Sequence, residues 1–224
     1  MHLGGIGTGN FEIGADGQLT TWQLFNTLRD GQVPFYFAVK AGHASKLLQT
    51  TGGPDWPRVK QIEMTGEYPF ATLRFRDDDL PVQLELEAFS PLEPLNTKLS
   101  SLPLAVFRFR IRNPTSQPQT VSLAALMINP VGYEAKVDIH GISHPNFGGN
   151  INDFFREGQA AGLLMRAEAG EKATLDRAVS IYTLANLQDL TAPPIDRPEN
   201  LKVEILKPPV LPASKLTDPT SVII

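Results

Sequence analysis

Apolar and polar residues alternate with a period of two along several short runs of the chain. In the run from Val82 to Ala88, every second side chain is apolar, and Gln83, Glu85 and Glu87 fill the positions between them. Successive side chains of a β-strand point to opposite faces, so this alternation predicts a half-buried strand.

The run from Ala105 to Ile111 alternates in the same way, with Arg108, Arg110 and Arg112 on its polar face. A connection rich in turn residues follows at 113–118, and the chain resumes at 120–124 as Thr-Val-Ser-Leu-Ala. We therefore expect these two runs to pair as an antiparallel hairpin.

The rest of the chain offers more strands than helices. Further strands are expected at 35–40, 59–65, 70–75, 162–167, 180–185 and 201–206, and helical turns only at 44–49 and 152–157. The 19 prolines and 18 glycines fall mostly between these segments. Many short strands with this punctuation predict an all-β fold, either a sandwich or a barrel.

The chain divides into a main domain at 1–190 and a proline-rich segment at 191–224. We expect the second segment to supply an edge strand followed by a linker. The sequence starts almost directly on a glycine-rich stretch and ends on Val222-Ile223-Ile224. Both features suggest that it is one piece of a longer chain.

Composition narrows the function classes. Hydrophobic residues make up 42% of the 224 residues, and the net charge is −4. No basic cluster is present, so we expect neither a nucleic-acid partner nor binding to an anionic membrane. Cysteine is absent, which excludes disulfides and thiolate chemistry. No run approaches the roughly 18 apolar residues of a membrane span and no signal peptide is visible, so a cytoplasmic location is expected.

The stretch Gly4-Gly5-Ile6-Gly7-Thr8-Gly9 resembles a phosphate-binding loop only superficially. The glycine spacing does not fit a dinucleotide fingerprint, and Asn10 stands where a P-loop requires lysine. No strand of useful length precedes the cluster and no helical pattern follows it. We expect a tight loop that needs positive φ angles and has no room for Cβ atoms.

Carboxylates are the first candidates for chemistry. Glu85 and Glu87 lie about 7 Å apart on one strand face, a separation compatible with a glycosidase pair. A strand face turned towards solvent explains these two glutamates more simply than a catalytic role does. The arginine stripe at 108, 110 and 112 could attract an anion, but pairing with acidic residues of a neighbouring strand is favoured. The acidic run at 77–79 is interpreted as a solvated hairpin turn.

Metal, nucleophile and sugar sites are the other candidates. His140 and His144 have a metal-ligand spacing, but Gly141, Ser143 and Pro145 disfavour a helix, so no metal and no cofactor are expected. No Gly-x-Ser-x-Gly elbow is present. Aromatic rings stack on sugars, although most are expected to pack in the core. The aromatic candidates are Trp22, Phe25, Tyr36, Trp56 and Tyr68.

The order of motifs resembles the N-terminal domain of glycoside hydrolase family 116, which includes bacterial β-glucosidases and non-lysosomal glucosylceramidases. The first matching block is LGGIGTGNFEIGADGQLTTWQLFN, and the second is EYPFATLRFRDDDLPVQLELEAFSPLEPLNTKLSSLPLAVFRFRIRNPTSQPQTVSLA. A weaker third block is NFGGNINDFFREGQAAGLLM. The resemblance extends over about residues 3–185.

The resemblance implies a large antiparallel β-sandwich of the supersandwich type. It also implies a separate (α/α)6 barrel that carries the catalytic carboxylates for retaining hydrolysis of β-glucosides. This chain has no room for that barrel, so no catalytic residue is expected here and the chain alone is expected to be inactive. The glycine cluster is expected near the domain interface, with Trp22 and Phe25 as packing residues. Candidate interface or sugar contacts are Trp22, Phe25 and Trp56.

Two other functions remain open from the sequence. The chain could be a free-standing carbohydrate-binding sandwich, which predicts exposed Trp or Tyr side chains in a row. It could also be a complete small enzyme, which predicts two carboxyl groups converging in a cleft.

Overall fold

The structure is a computed structural model, and it describes residues 1–24, 27–28, 34–131, 150–157, 160–167, 179–183, 210–211 and 220–223. Within these ranges the chain forms antiparallel β-sheets and one short helix, α1 (Thr97–Ser100). The expected all-β sandwich is confirmed.

Strands are numbered in chain order and belong to four sheets of the described residues. Sheet I, in the order β1-β2-β3-β4, contains β1 (His2–Gly5), β2 (Gly9–Ile13), β3 (Leu19–Leu24) and β4 (Thr27–Leu28). Sheet II, in the order β16-β10-β9-β8-β7, contains β7 (Gln61–Glu67), β8 (Phe70–Arg76), β9 (Gln83–Phe89), β10 (Val106–Arg112) and β16 (Thr220–Ile223). Sheet III, in the order β15-β11-β5-β6, contains β5 (Phe35–Ala41), β6 (Ala44–Leu47), β11 (Gln119–Met127) and β15 (Val210–Leu211). Sheet IV, in the order β12-β13-β14, contains β12 (Asn150–Glu157), β13 (Ala160–Ala167) and β14 (Val179–Thr183).

Half of the described strands lie where the period of two predicts them. The runs expected at 35–40, 59–65, 70–75, 162–167 and 180–185 correspond to β5, β7, β8, β13 and β14. In β9 the apolar positions Leu84, Leu86 and Ala88 are buried, as the alternation predicts. The strand expected at 201–206 lies outside the described residues.

Both expected helical turns are wrong. Residues 44–47 form β6, which pairs with β5 through a tight turn at Gly42, whose φ is 59°. Residues 150–157 form β12, which pairs along its whole length with β13. Cross-strand pairing outweighs the helix propensity of both segments, which is a weak preference in a folded protein. The helix that does form, α1, was not expected.

The expected hairpin between the runs at 105–113 and 120–124 is also wrong. Strand β10 pairs with β9 in sheet II, whereas β11 pairs with β5 in sheet III. The connection is closed by its own side chains, because Asn113 Oδ1 accepts from the Thr115 backbone N–H at 2.9 Å and Asn113 Nδ2 donates to the Gln117 carbonyl at 2.8 Å. This compact turn carries the chain from one sheet to the other.

The core lies between the inner faces of sheets II and III. The Phe37 ring of β5 contacts Phe107 and Phe109 of β10, with ring centroids 4.8 and 5.2 Å apart. Sheet I joins the same cluster, since Phe11 stacks on Trp22 at 4.3 Å and Phe107 lies 6.2 Å from Phe11. Sheet I is therefore held against the sandwich by aromatic packing.

The described strands of the segment 191–224 lie at the edges of both main sheets. Strand β15 pairs with β11 of sheet III, and β16 pairs with β10 of sheet II. Val222 lies opposite Phe109 in this pairing. The segment thus contributes an edge strand to each sheet.

An ion cluster connects sheet III with sheet II at the turn between β8 and β9. Lys46 Nζ of β6 lies 2.8 Å from Asp79 Oδ2 and 3.3 Å from Asp77 Oδ2. The Asp77 side chain has no solvent exposure, so the interpretation of this acidic run as a wholly solvated turn is wrong for Asp77. Burial of this carboxylate requires a partner, and Lys46 supplies the charge.

The cluster predicts a pH dependence of stability. The hydrogen bond from Lys46, followed by its charge, lowers the pKa of Asp79, and the hydrogen bond to Asp79 raises the pKa of Lys46. A lowered aspartate pKa stabilises the fold above the ordinary aspartate pKa, and that stabilisation is lost as pH falls through the lowered value. The urea midpoint of Asp79→Asn should therefore lie below that of the wild type at neutral pH and converge with it in acid. A difference that persists unchanged into acid would contradict the assignment.

Candidate functional site

The glycine-rich stretch forms the hairpin between β1 and β2. Its φ angles are 126° at Gly4, 73° at Gly7 and 107° at Gly9, and strand β2 follows it where a phosphate loop would need a helix. These conformations are accessible to glycine but strained for other residues. The expected tight loop with positive φ angles is confirmed.

The glycine hairpin is bound to the segment 90–102, which follows β9. Gly4 N donates to Ser90 Oγ at 2.6 Å, and Ile6 N donates to the Ser100 carbonyl at 2.8 Å. Thr8 Oγ1 donates to the Ser101 carbonyl at 2.9 Å. A Cβ atom on Gly5 would lie within 2.5 Å of the Leu102 carbonyl oxygen, so the backbones touch here only because Gly5 has no side chain.

Helix α1 shapes the facing segment. Asn96 Oδ1 accepts from Leu99 N at 3.1 Å as the helix N-cap, and Ser100 Oγ donates to the Glu93 carbonyl at 2.9 Å. Asparagine is among the preferred N-cap residues, so Asn96 was the sequence signal that could have revealed this helix. The closed turn presents the Ser100 carbonyl to the glycine hairpin.

A groove of about 370 Å³ lies between the hairpin and this segment. Among the described residues that line it, none is Asp, Glu, Lys or Arg. Besides the backbone of Gly4, Gly5 and Gly7, its walls include His2, Asn10, Gln23, Tyr68, Ser90 and Leu92. The groove therefore combines polar groups, among them the ionisable His2, with a few apolar side chains.

Apolar side chains project into solvent around the groove. Ile6 and Tyr68 on its walls are each 64% exposed, and Leu95 in the facing segment is fully exposed. Leu92 and Leu102 of the same segment are also exposed. We call Ile6, Leu92, Leu95 and Leu102 the apolar rim. These four residues all belong to the glycine hairpin and to the segment that hydrogen bonds hold against it.

The carboxylates that the sequence singled out do not form a catalytic pair. Glu85 accepts from Arg74 Nε at 2.9 Å and lies 3.1 Å from Arg110 Nη1. Glu87 pairs with Arg108. The register aligns Arg110, Glu85, Arg74 and Glu63 across four adjacent strands, so charges of opposite sign alternate across sheet II. Cross-strand pairing of the arginine stripe is confirmed for Arg108 and Arg110.

This charge ladder predicts a modest stability effect. Glu85→Gln removes the charge that two arginines share, so we expect the free energy of unfolding to fall by about 1 kcal/mol at low salt and by less at high salt. Glu67→Gln, at an exposed position of β7, is the matched control and should change little. Urea unfolding at both salt concentrations measures the difference. Equal effects of the two substitutions would contradict the ladder.

The histidines provide no metal site within the described residues. His2 Nε2 lies 3.2 Å from Glu12 Oε1, and His43 is exposed in the turn between β5 and β6. His140 and His144 lie outside the described residues. No group of three or more His, Cys, Asp or Glu side chains is arranged for a metal in the part of the chain that the structure describes.

The candidate aromatic contacts have different surroundings. Trp22 is 3% exposed, and its Nε1 donates to the Leu19 carbonyl at 3.1 Å, so it packs in the core as expected. Phe25 lies outside the described residues. Trp56 is 36% exposed on a loop where Arg58 donates to the carbonyls of Gly52 and Pro54.

The remaining two aromatic candidates differ in exposure. Burial raises the pKa of the Tyr36 hydroxyl, whereas Tyr68 remains exposed at the groove. Of the five, Tyr68 alone is brought by the fold to the groove walls within the described residues. The groove itself was not predicted from the sequence.

Among the described residues, no helix has the length and apolar character needed to cross a membrane.

Comparison with known proteins identifies the family. A search of curated proteins returned no match. Residues 1–206 match the family described as beta-glucosidase 2, glycosyl-hydrolase family 116 N-term. Since that match spans most of the sequence, the chain belongs to the N-terminal domain family of glycosyl-hydrolase family 116.

Proposed function

We propose that this chain is a non-catalytic β-sandwich domain that supports a separate helical catalytic domain in the retaining hydrolysis of β-glucosides. The observation that carries the proposal is the match of residues 1–206 to the N-terminal domain family. The ion pairs of Glu85 and Glu87 support it, because carboxylates held by arginines on a sheet face are poorly placed to act as an acid and nucleophile pair.

The apolar rim is the proposed contact surface for the helical domain. Ile6 lies at the tip of the glycine hairpin, and Leu95 lies in the facing segment, which hydrogen bonds hold against that hairpin. Hydrogen bonds already fix the backbone that carries these exposed apolar side chains. They can therefore pack against a partner with little further loss of backbone freedom. Trp56 is proposed as a second contact, since its loop is held in place by Arg58.

Two further aspects of the proposal follow from composition and exposure. The absence of cysteine supports a cytoplasmic location. A free-standing carbohydrate-binding module is less well supported than a scaffold domain. Such a module presents a row of exposed Trp or Tyr side chains, whereas Trp56 is not among the described residues that line the groove with Tyr68.

A complementation experiment tests the proposed function. The chain and a helical catalytic domain of the same family, produced as separate polypeptides, should co-elute and together hydrolyse a fluorogenic β-glucoside. Leu95→Asp should weaken both association and activity, because it places a charge on the apolar rim. Leu164→Asp, at an exposed leucine of sheet IV, is the matched control and should change neither. Failure to associate, or equal loss with both variants, would contradict the proposal.

A further inference from the structure

Strand β7 leaves one edge of sheet II open in the described part of the chain. The strand order places β7 at the end of the sheet, where it pairs with β8 along all seven of its residues. Alternate backbone N–H and C=O groups of β7 therefore point away from β8. No other described residue forms a backbone hydrogen bond with Gln61–Glu67, and five of these seven residues are exposed. The open edge can therefore accept a further strand.

The open edge lacks several of the features that usually protect an edge strand. Natural proteins shorten such strands or place prolines, lysines and bulges in them. Strand β7, with the sequence QIEMTGE, contains neither proline nor lysine, and its register with β8 is regular. Its apolar side chains, Ile62 and Met64, are half-buried and pack against the core. An added strand would place its own apolar residues beside these two.

The charge pattern of sheet II indicates the chemistry of the added strand. One row of aligned residues crosses the outer face through Arg110, Glu85, Arg74 and Glu63. Glu85 lies 3.1 Å from Arg110 Nη1 and 2.9 Å from Arg74 Nε, so charges of opposite sign are neighbours along the row. The row ends at the open edge on the negative Glu63. A strand that continues the same pattern carries a cation opposite Glu63.

Glu67 adds a second negative charge to the open edge. It lies opposite Phe70 rather than opposite an arginine, and it forms no ion pair with a described residue. Glu63 is bound by Arg76 at 3.2 Å, but its side chain is still 48% exposed. Since Glu63 and Glu67 are four residues apart, their side chains lie on the same face, separated by about 13 Å along the strand.

A second copy of this chain is a poorer partner for the open edge. Antiparallel pairing of two β7 strands about Met64 sets Glu63 opposite Thr65. Glu67 then lies opposite Gln61, so neither carboxylate meets a cation. Pairing about Thr65 sets Glu63 opposite Glu67, and like charges directly opposite each other destabilise a sheet. The charges therefore favour a basic segment over self-association.

We propose that the open edge of β7 binds an extended segment of a partner protein, which adds to sheet II as a further antiparallel strand. The segment carries two basic side chains four residues apart, one opposite Glu63 and one opposite Glu67. In strand addition of this kind, backbone hydrogen bonds give affinity and alternate side chains give specificity. The open edge shares no residue with the apolar rim. The proposal is independent of docking to a helical domain, and failed complementation would leave it standing.

Nuclear magnetic resonance on the isotopically labelled 224-residue chain tests the inference with a synthetic peptide. The probe is an acetylated seven-residue peptide in which two lysines stand four residues apart, with valine and threonine alternating at the other positions. Saturable shifts are expected at the amides of residues 61–67, and binding should weaken as salt is added. The matched control peptide has glutamate in place of both lysines and should not bind.

Two methylated peptides test whether the backbone of the probe pairs with β7. Each carries N-methyl groups at alternate residues, one series at the odd positions and the other at the even positions. Only one edge of an added strand faces β7, so one series removes the pairing N–H groups and the other leaves them intact. We expect one methylated peptide to bind like the probe and the other not to bind. Equal binding of both would show that charge alone holds the peptide, and it would overturn the proposal.

Substitutions at the open edge test the two carboxylates. Glu63→Gln combined with Glu67→Gln should weaken binding of the lysine peptide about fivefold at low salt, because two exposed ion pairs are lost. Asp55→Asn removes an exposed carboxylate outside β7 and is the matched control, which should bind like the wild type. Both variants should fold, since the substituted side chains are exposed. Unchanged affinity in the double variant would exclude the two glutamates from the site.

Three further outcomes would overturn the proposal. The first is the absence of saturable shifts with the lysine peptide. The second is a set of shifts that maps outside residues 61–67. The third is a concentration-dependent dimer of the chain alone, with shifts at the β7 amides, because the open edge would then bind a second copy rather than a basic partner.

Discussion

Phe109→Ala is expected to lower the free energy of unfolding by about 3–5 kcal/mol, the usual cost of truncating a fully buried phenylalanine. Phe109 has no solvent exposure, and its ring lies 5.2 Å from that of Phe37 across the interface between sheets II and III. Truncation leaves a cavity between two sheets whose backbones are held by hydrogen bonds, so the site cannot collapse fully. Urea unfolding followed by tryptophan fluorescence measures the loss.

Phe70→Ala is the matched control for this substitution. Phe70 belongs to the same sheet but is 42% exposed, and its ring contacts only Phe89 among the described aromatic pairs. We expect a loss of no more than about 1 kcal/mol. Comparable losses for the two variants would contradict the assignment of the core to the space between sheets II and III.

Gly4→Ala is expected to destabilise the glycine hairpin far more than Gly7→Ala. At Gly4, φ is 126°, and a Cβ atom would lie 2.3 Å from the Gly9 carbonyl oxygen. Since the clashing atom belongs to the backbone, the hairpin itself must move, and we expect a cost of at least about 3 kcal/mol. At Gly7, φ is 73° and no atom lies within 4 Å of the added Cβ, so only about 1 kcal/mol of backbone strain is expected.

The comparison of the two glycine variants uses thermal unfolding and amide spectra together. Gly4→Ala should also shift the amide signals of residues 90–101, because Gly4 N donates to Ser90 and the hairpin docks on that segment. Gly7→Ala should leave those signals in place. Similar melting temperatures for the two variants would show that the hairpin is not built as described.

The strands with a clear alternation could be predicted from the sequence, but their partners could not. The alternation in β9 and β10 identifies which side chains are buried, because the period of two follows directly from strand geometry. The alternation does not show which strand pairs with which. The 113–118 turn therefore looked like a hairpin loop although it joins two sheets. Residues 44–47 looked helical because the pairing of β6 with β5 is a tertiary effect that propensity does not contain.

The candidate site was predictable only in part. The glycine spacing indicated a structural loop rather than a nucleotide site, and the positive φ angles agree. The groove was not predictable, because its walls come from the hairpin, from Tyr68 and from Ser90, which are distant in sequence. The pairing of the arginine stripe with acidic residues could be predicted, because a charged strand face needs partners of opposite charge. The sequence could not assign Arg110 to Glu85.

The central claim is that this chain supports glucoside hydrolysis without performing it. The most direct measurement is hydrolysis of a fluorogenic β-glucoside by the purified 224-residue chain, with protein in large excess over substrate and for many hours. We predict that the chain alone hydrolyses no more substrate than buffer does. Hydrolysis should appear only when a helical catalytic domain is added. Turnover by the chain alone that disappears in Glu85→Gln or Glu87→Gln would contradict the account and place the active site on the face of sheet II.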